Sequence, residues 1–408
     1  MMKVMSGNEA VAYAMKQIDP DVMGAFPITP STDIPEIFAG FVANGEVNTE
    51  YVAVESEHSS MSVCIAAQAA GARAVSATSA CGLALMHELL YVAASSRLPI
   101  SLACVNRALT GPININHDYS DSMGSRDSGW IQIYAENNQE AYDNFIQAMP
   151  IGESPEVRLP VMTCMDGFIT SHAMENIELL ETAAVKAFVG EYRPEHFLLK
   201  KDNPLAIGPY DISAYYMEHK VQQAEAMKAA KARILEVAAQ FEKVSGRKYG
   251  LIEEYCMEDA ETAVVLIGSS AGTGKAAVNR LRSQRLRVIL QPARTDLQHS
   301  LRPGQQLAGH LLPKASQRQL TSTLQTLQGG GVAASGQQRG TRVVLLQVVQ
   351  GKGFIFLIKL VETVKVHLQP VAEKHLHRLS QQPLQVGQRQ ACWCDSALGR
   401  GRRRHHFC

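Results

Sequence analysis

Five short apolar runs mark the first 170 residues of the chain, and a polar side chain follows each of them. The runs cover residues 21–27, 51–54, 72–77, 100–105 and 161–165. Segments that favour helix separate most of them, over residues 6–17, 34–42, 59–72, 82–94 and 138–149. Strands that alternate with helices in this way predict an open, mainly parallel α/β sheet.

The polar side chains that follow the runs define a candidate site. They are Thr29, Glu57, Thr78, Ser79, Arg107 and Asp166. The carboxyl ends of parallel strands line one crevice, and ligands bind there. We therefore expect a hydroxyl, a carboxylate and a guanidinium that are distant in sequence to converge on one small molecule.

Each of the three main candidates also has an ordinary structural interpretation. Thr29, in F-P-I-T-P-S, can be a turn residue before a helix N-cap. Glu57 is predicted to end a buried strand, where its carboxylate could share a proton with a ligand nitrogen. It can also be a helix-start acid that the helix dipole favours. Glu55 competes with it on the same predicted strand face. Arg107 suits bidentate binding of a carboxylate, but it can equally form a structural ion pair.

Further along the chain the pattern predicts a loop, a long helix and the start of a second domain. The loop covers residues 110–129, a length typical of functional loops or lids. A helical stretch covers 211–241, and a strand at 262–268 precedes a Gly-rich turn and a helix at 275–283. The turn, G-S-S-A-G-T-G-K-A, does not fit a phosphate loop. Its first Gly is one residue too far from Gly274, and Ala276 replaces the Mg²⁺-binding hydroxyl residue.

Composition places the chain among globular proteins, with 46% hydrophobic and 19% charged residues. No apolar run has the length of a membrane span, and the first 17 residues lack the apolar core of a signal peptide. The sequence therefore predicts a cytoplasmic protein with no membrane partner. None of the eight Cys residues forms C-x-x-C, so we expect neither zinc nor an iron–sulfur cluster within this chain.

A sharp change of charge divides the chain near residue 284. Residues 1–284 hold 35 acidic and 21 basic side chains, whereas residues 285–408 hold 4 acidic and 18 basic ones. This basic tail is also rich in Gln, Arg and His and shows no sustained period. One hypothesis is a shifted-frame or opposite-strand translation, and the rival is a genuine lineage-specific tail. Residues 400–406 lack interleaved aromatic side chains, so nucleic acid is not an expected partner.

Six segments of the chain together resemble the alpha subunit of pyruvate:ferredoxin oxidoreductase. They are F-P-I-T-P-S-T (26–32), E-S-E-H-S-S (55–60), T-S-A-C-G-L-A-L-M (78–86), V-N-R-A-L-T-G-P-I-N-I (105–115), S-D-S-M-G-S-R-D-S-G-W (120–130) and M-D-G-F-I-T-S-H (165–172). The likeness covers about residues 1–284, and the fourth and fifth segments favour the pyruvate branch over 2-oxoglutarate or branched-chain relatives.

The resemblance implies an α/β fold in two parts. Residues 1–245 would form an open parallel-sheet domain that binds the pyrimidine side of thiamine diphosphate and pyruvate, with a helical extension. Residues 246–284 would begin a second α/β domain like the C-terminal domain of transketolase. The basic tail, 285–408, departs from the family.

The implied activity is oxidative decarboxylation of pyruvate with coenzyme A to acetyl-CoA and CO2, with electrons passed to ferredoxin. The chain would be active only with beta, gamma and delta type subunits. A beta chain would supply the diphosphate and Mg²⁺ site, and partner chains would hold the iron–sulfur clusters. This fits a chain that has no G-D-G followed by Asn and no Cys cluster.

The resemblance also assigns roles to three residues. Glu57 would contact N1′ of the cofactor's aminopyrimidine and promote the imino form that deprotonates the thiazolium carbon. Thr29 would lie at the cofactor and, with Arg107, bind the carboxylate of pyruvate; no metal ligand is expected in this chain. The alternatives are the alpha subunit of another 2-oxoacid:ferredoxin oxidoreductase, or a non-functional product of a damaged gene.

Overall fold

The computed structural model describes residues 1–208, 210–260, 263–283, 290–293 and 295–296, the last two ranges by their backbone alone. The strands are β1 (Met2–Met5), β2 (Val22–Ala25), β3 (Glu50–Ala53), β4 (Ala74–Thr78), β5 (Ser101–Asn106), β6 (Ile131–Tyr134), β7 (Val161–Asp166), β8 (Glu175–Glu178), β9 (Val264–Ile267), β10 (Leu290–Ala293) and β11 (Thr295–Asp296). The helices are α1 (Gly7–Ile18), α2 (Asp33–Ala43), α3 (Glu57–Ala70), α4 (Ala80–Leu85), α5 (His87–Ser95), α6 (Ser120–Gly124), α7 (Asn138–Gly152), α8 (Thr182–Val189), α9 (Tyr216–Ser245) and α10 (Ser270–Ser283).

The main sheet confirms the predicted open parallel α/β architecture. Its strand order is β11-β6-β7-β5-β4-β2-β3, and all neighbours run parallel except β11, which is antiparallel to β6. The five apolar runs form β2, β3, β4, β5 and β7. Strand β2 lies between β3 and β4, so the chain changes direction across the sheet at this point. The carboxyl ends of β2 and β4 therefore border the topological switch point, where open sheets bind ligands.

Helices cover both faces of the sheet, which explains why its central strands read as continuous apolar runs. Along β5, Ala103 and Val105 pack on one face, whereas Leu102 and Cys104 pack on the other. Helices α1, α2, α7 and α8 cover the first face, and α3, α4 and α5 cover the second.

Helix α3 approaches the sheet closely, as its small residues predict. A Cβ atom at Gly24 of β2 would lie 2.5 Å from the carbonyl oxygen of Ser60. Ser60 Oγ lies 2.9 Å from Ser76 Oγ on β4, and Ser76 Oγ donates to the carbonyl of Gly24 at 2.8 Å. These contacts fix the first turn of α3 near the carboxyl ends of β2 and β4.

Several predicted elements differ in detail from the structure. The single helix predicted over 82–94 is two helices, α4 and α5, which meet at Met86. The predicted loop over 110–129 contains α6, and the short strands β1, β6 and β8 had no prediction. Four-residue strands carry too few positions to show a period, and α6 is held by contacts with distant residues that are described below.

The predicted strand and helix after residue 262 are present as β9 and α10, and β10 pairs parallel with β9. Helix α10 begins at Ser270, within the segment predicted as a Gly-rich turn. Asp166, at the end of β7, accepts a hydrogen bond from the backbone N–H of Ser269 at 2.8 Å and others from the hydroxyls of Ser269 and Tyr119. Its carboxylate thus occupies the start of α10, where a phosphate loop would hold an anion. Asp166 was expected among the crevice groups, but it serves this contact instead.

The strand predicted over 286–290 and the tail over 285–408 lie outside the described residues, apart from the backbone of β10 and β11. Both hypotheses for the tail therefore stay predictions. The same holds for the domain boundaries at residues 245 and 284. Within the described ranges, no helix is long and apolar enough to cross a membrane.

Candidate active site

Arg107 follows β5 directly and is 6% exposed. Its Nη1 donates to the carbonyl oxygen of Thr29 at 2.6 Å, so the ends of β2 and β5 meet as predicted. Its Nε is buried and has no hydrogen-bond partner among the described residues, where Arg107 also forms no ion pair. A buried cation is costly without a counter-charge. The guanidinium is therefore suited to an anionic ligand.

Thr29 lies in the turn after β2, with an exposed side chain. The sequence predicted a ligand-binding hydroxyl at this position. The contact with Arg107 uses the backbone carbonyl of Thr29 rather than its hydroxyl. The structure brings Thr29 and Arg107 together and leaves the role of the hydroxyl a prediction.

Glu57 does not end a buried strand, and that part of the prediction is wrong. Strand β3 ends at Ala53, and Glu57 is the first residue of α3, because Ser56 caps the helix by accepting from the N–H of Ser59 at 3.2 Å. Its side chain is nevertheless buried, at 7% exposed. In the part of the chain that the structure describes, the carboxylate forms no hydrogen bond or ion pair. Buried carboxylates normally have partners, so this one points to a ligand.

The competing carboxylate, Glu55, is exposed. Its Oε1 accepts a hydrogen bond from Ser59 Oγ at 2.6 Å, which holds the pKa of Glu55 below its ordinary value. Because α3 starts at Glu57, the two side chains do not share a strand face. Glu57 is the better candidate.

The segment from Thr78 to Gly82 lies against the Glu57 side chain. A Cβ atom at Gly82 would lie 2.4 Å from Thr78 Oγ1 and 2.8 Å from Glu57 Oε1. The hydroxyls of Thr78 and Ser79 are buried and have no hydrogen-bond partner among the described residues. The glycine leaves room for the carboxylate, and two unsatisfied hydroxyls lie close by.

We expect Gly82→Ala to lower the free energy of unfolding by about 1–3 kcal/mol, because the added methyl group overlaps Thr78 and Glu57. Gly40→Ala is the matched control. It lies in α2 with nothing within 4 Å of the added Cβ, and should stabilise by about 0.5–1 kcal/mol through helix propensity. Denaturant unfolding of the two variants measures both effects. Equal stabilities would contradict the packing of Glu57 against Gly82.

Asp121 is a site residue that the sequence did not reveal. It is 3% exposed, and its carboxylate accepts from the backbone N–H groups of Ala80 and Arg107, both at 3.0 Å. Asn106 Nδ2 donates to it at 2.9 Å. Asp121 therefore joins the ends of β4 and β5 and fixes the backbone that carries Arg107. It belongs to α6, in a segment that the sequence predicted as a polar loop, and nothing local shows that its partners are N–H groups far along the chain.

The pKa of Asp121 predicts a pH-dependent contribution to stability. Burial raises this pKa to about 6, above an unfolded value of about 3.9. The folded protein therefore binds the proton more tightly. The contribution is fully present below about pH 4, is lost as the pH rises through about 6, and amounts to about 3 kcal/mol.

The measurement is the difference in free energy of unfolding between wild type and Asp121→Asn, from about pH 4 to about pH 7. Wild type should lose stability relative to the variant over this range. Asp118→Asn, a change in the exposed loop before α6, is the control for the loss of a carboxylate. If the free energies of unfolding of wild type and Asp121→Asn changed in parallel with pH, the raised pKa of Asp121 would be contradicted.

The fold and the site define a class: an open, mainly parallel α/β protein with a candidate ligand site at the switch point of its sheet. A family profile described as "Pyruvate flavodoxin/ferredoxin oxidoreductase, thiamine diP-bdg" matches residues 13–239. The chain belongs to this family, and the resemblance seen in the sequence is confirmed.

Two relatives support the membership of the chain in this family. It is 56% identical to the pyruvate synthase subunit PorA of Thermotoga maritima over 283 residues, 69% of this chain and 72% of the relative. It is 44% identical to the ketoisovalerate oxidoreductase subunit VorA of Pyrococcus abyssi over 287 residues, 70% of this chain and 72% of the relative.

A solved 2-oxoglutarate:ferredoxin oxidoreductase from Magnetococcus marinus matches with a TM-score of 0.57 and 19% identity, covering 72% of this chain. The match spans 54% of that chain. At this identity it supports the fold.

Proposed function

We propose that the chain is the alpha subunit of a pyruvate:ferredoxin oxidoreductase, which converts pyruvate and coenzyme A to acetyl-CoA and CO2 and reduces ferredoxin. One observation carries the proposal. Among the described residues, the carboxylate of the buried residue Glu57 forms no hydrogen bond and the buried guanidinium of Arg107 has no counter-ion, and both side chains lie against the segment 78–82 at the switch point. The 56% identity to a pyruvate synthase subunit supports the choice of pyruvate.

The residues present fit the aminopyrimidine half of thiamine diphosphate. The fit rests on the Glu57 carboxylate beside Gly82 and on the hydroxyls of Thr78 and Ser79, which are buried without a hydrogen-bond partner among the described residues. When bound, this cofactor supplies the electron sink for 2-oxoacid decarboxylation. Glu57 would hold a proton in common with N1′ of the pyrimidine ring, and its burial would strengthen that interaction.

Arg107 would bind and orient the 2-oxoacid carboxylate. Its Nη1 is held by the carbonyl of Thr29, and its backbone N–H is held by Asp121, so the guanidinium is fixed before substrate arrives. Its Nε is buried without a hydrogen-bond partner among the described residues, and the hydroxyl of the exposed residue Thr29 would add a second donor. Preorganised donors of this kind lower the cost of orienting a small substrate.

We assign the remaining machinery to partner subunits. A beta type chain would bind the diphosphate and Mg²⁺, and beta, gamma and delta type chains would carry electrons through iron–sulfur clusters to ferredoxin, in the cytoplasm. The support is in the sequence, which carries neither G-D-G followed by Asn nor C-x-x-C.

The test is pyruvate- and CoA-dependent reduction of a viologen dye by this chain co-expressed with its partner subunits. A panel of pyruvate, 2-oxoglutarate and 2-oxoisovalerate should show the highest kcat/KM for pyruvate. An assembled, soluble complex that reduces no dye with any of the three would contradict the proposal.

The second candidate is a branched-chain 2-oxoacid oxidoreductase, favoured by the 44% identity to the ketoisovalerate subunit. The same panel decides it, since a higher kcat/KM for 2-oxoisovalerate than for pyruvate would make 2-oxoisovalerate the substrate.

A variant that ends at Ser283 tests the effect of the basic tail separately from the site. If this variant assembles with the partner subunits and the full-length chain does not, the basic tail prevents assembly. Resequencing the gene would test the shifted-frame hypothesis.

A further inference from the structure

Cys81 is a thiol within the candidate site that the proposed reaction does not use. It lies in α4 between the hydroxyl pair at Thr78 and Ser79 and the tight position at Gly82, and its side chain is partly exposed. Its Sγ lies 2.9 Å from Thr110 Oγ1. Arg107 is its cationic neighbour. The thiol therefore borders the space beside the guanidinium.

We propose that Cys81 is a covalent modification site that selects small electrophiles bearing a carboxylate, because Arg107 binds their carboxylate next to the sulfur. The proposal rests on the proposed function only in that Arg107 is a carboxylate-binding group. It adds that occupation of the sulfur excludes the 2-oxoacid, which would make Cys81 a point of inhibition by reactive acids.

Two independent observations carry this inference. The first is the partly exposed Cys81 side chain, whose Sγ contacts Thr110 Oγ1. The second is Arg107, which is 6% exposed and has a buried Nε without a hydrogen-bond partner in the described ranges. An unpaired guanidinium beside a thiol attracts an anionic reagent and also favours the thiolate. The pKa of Cys81 is lowered, first by the hydrogen bond from Thr110 and then by Arg107.

The other thiols that the structure describes differ from Cys81 in ways that predict selectivity. Cys64 is fully buried, and burial raises its pKa to about 12. Cys104 and Cys164 are buried beside each other on paired strands, and the pKa of Cys104 is raised well above its ordinary value. Cys256 is partly exposed like Cys81, which makes it the comparison thiol. The arginine that contacts Cys256, Arg282, is neutralised by an ion pair with Asp259.

The chemistry is a simple substitution. The thiolate sulfur attacks the CH2 carbon of an α-halo acid such as iodoacetate and forms a C–S bond. The C–I bond breaks, iodide leaves with the electron pair, and the thiol proton has gone to the buffer. No oxidant or reductant is needed.

The experiment compares iodoacetate with its neutral analogue iodoacetamide on the assembled complex, kept anaerobic. Peptide mass spectrometry gives the labelling rate at Cys81 and at Cys256 for each reagent. The iodoacetate-to-iodoacetamide ratio at Cys81 should exceed that at Cys256 by about tenfold or more, as expected for one charge-assisted contact. Arg107→Gln should remove the excess, and pyruvate should slow labelling of Cys81.

An equal ratio at the two thiols, no labelling of Cys81, or an excess that persists in Arg107→Gln would overturn the proposal. Dye reduction by unlabelled samples of the same complex reports the proposed function separately. Dye reduction without preferential labelling of Cys81 would contradict only the proposed modification site. Preferential labelling of Cys81 without 2-oxoacid-dependent dye reduction would support the modification site and contradict only the proposed reaction.

Discussion

Glu57→Gln is expected to reduce pyruvate-dependent dye reduction by about 10²–10⁴-fold, the usual contribution of a positioned acid–base group. Glutamine keeps the volume that packs against Gly82, but it cannot hold a proton in common with a ring nitrogen. The loss should therefore lie in kcat, with little change in folding. Steady-state kinetics and unfolding measurements on the assembled complex separate the two.

Glu55→Gln is the matched control for this change. Glu55 lies two residues away, is exposed, and its carboxylate accepts a hydrogen bond from Ser59 Oγ. We expect its activity to stay within about twofold of wild type, as for most surface substitutions. If Glu55→Gln were the more damaging change, or if Glu57→Gln kept full activity, the assigned proton-sharing role would belong elsewhere.

Arg107→Gln is expected to lower kcat/KM for pyruvate by about 10²-fold or more, because truncating a buried charge-assisted contact costs about 2–5 kcal/mol. The effect should appear mainly as a raised KM for the 2-oxoacid and leave the KM for coenzyme A unchanged. Arg107→Lys keeps the charge but loses the planar fork, so an intermediate loss is expected.

Arg193→Gln is the control for the loss of one arginine. Arg193 has a side chain that is 79% exposed and pairs with Glu191 on the surface. Surface ion pairs contribute about 0–1 kcal/mol, so its kinetics should match wild type. An Arg107→Gln complex with an unchanged KM for pyruvate would show that the carboxylate binds to another group.

The sequence predicted the parallel sheet well because both faces of its central strands are buried. Strand β5, for example, packs Ala103 on one face and Leu102 on the other, so the run is mainly apolar and its end can be located in the sequence. Arg107 could be placed for the same reason, since it follows that run directly.

The errors have physical causes in particular residues. Glu57 was predicted at the end of a strand, because the capping bond from Ser59 N–H to Ser56 depends on a helix start that strand alternation does not show. Asp121 was missed because two of its partners, Ala80 and Arg107, are backbone N–H groups 41 and 14 residues away. A tertiary network of this kind has no local signal.

The segment from Thr78 to Gly82 has a consequence for how such an enzyme can diverge. Gly82 leaves room for Glu57, Cys81 borders Arg107, and the N–H of Ala80 binds Asp121. This segment of five consecutive residues thus borders both Glu57 and Arg107. A substitution that suits one of these two groups is therefore expected to disturb the other. Evolution toward a new 2-oxoacid is therefore expected to proceed through the exposed residues 110–116, where side chains can vary without moving the acid or the guanidinium.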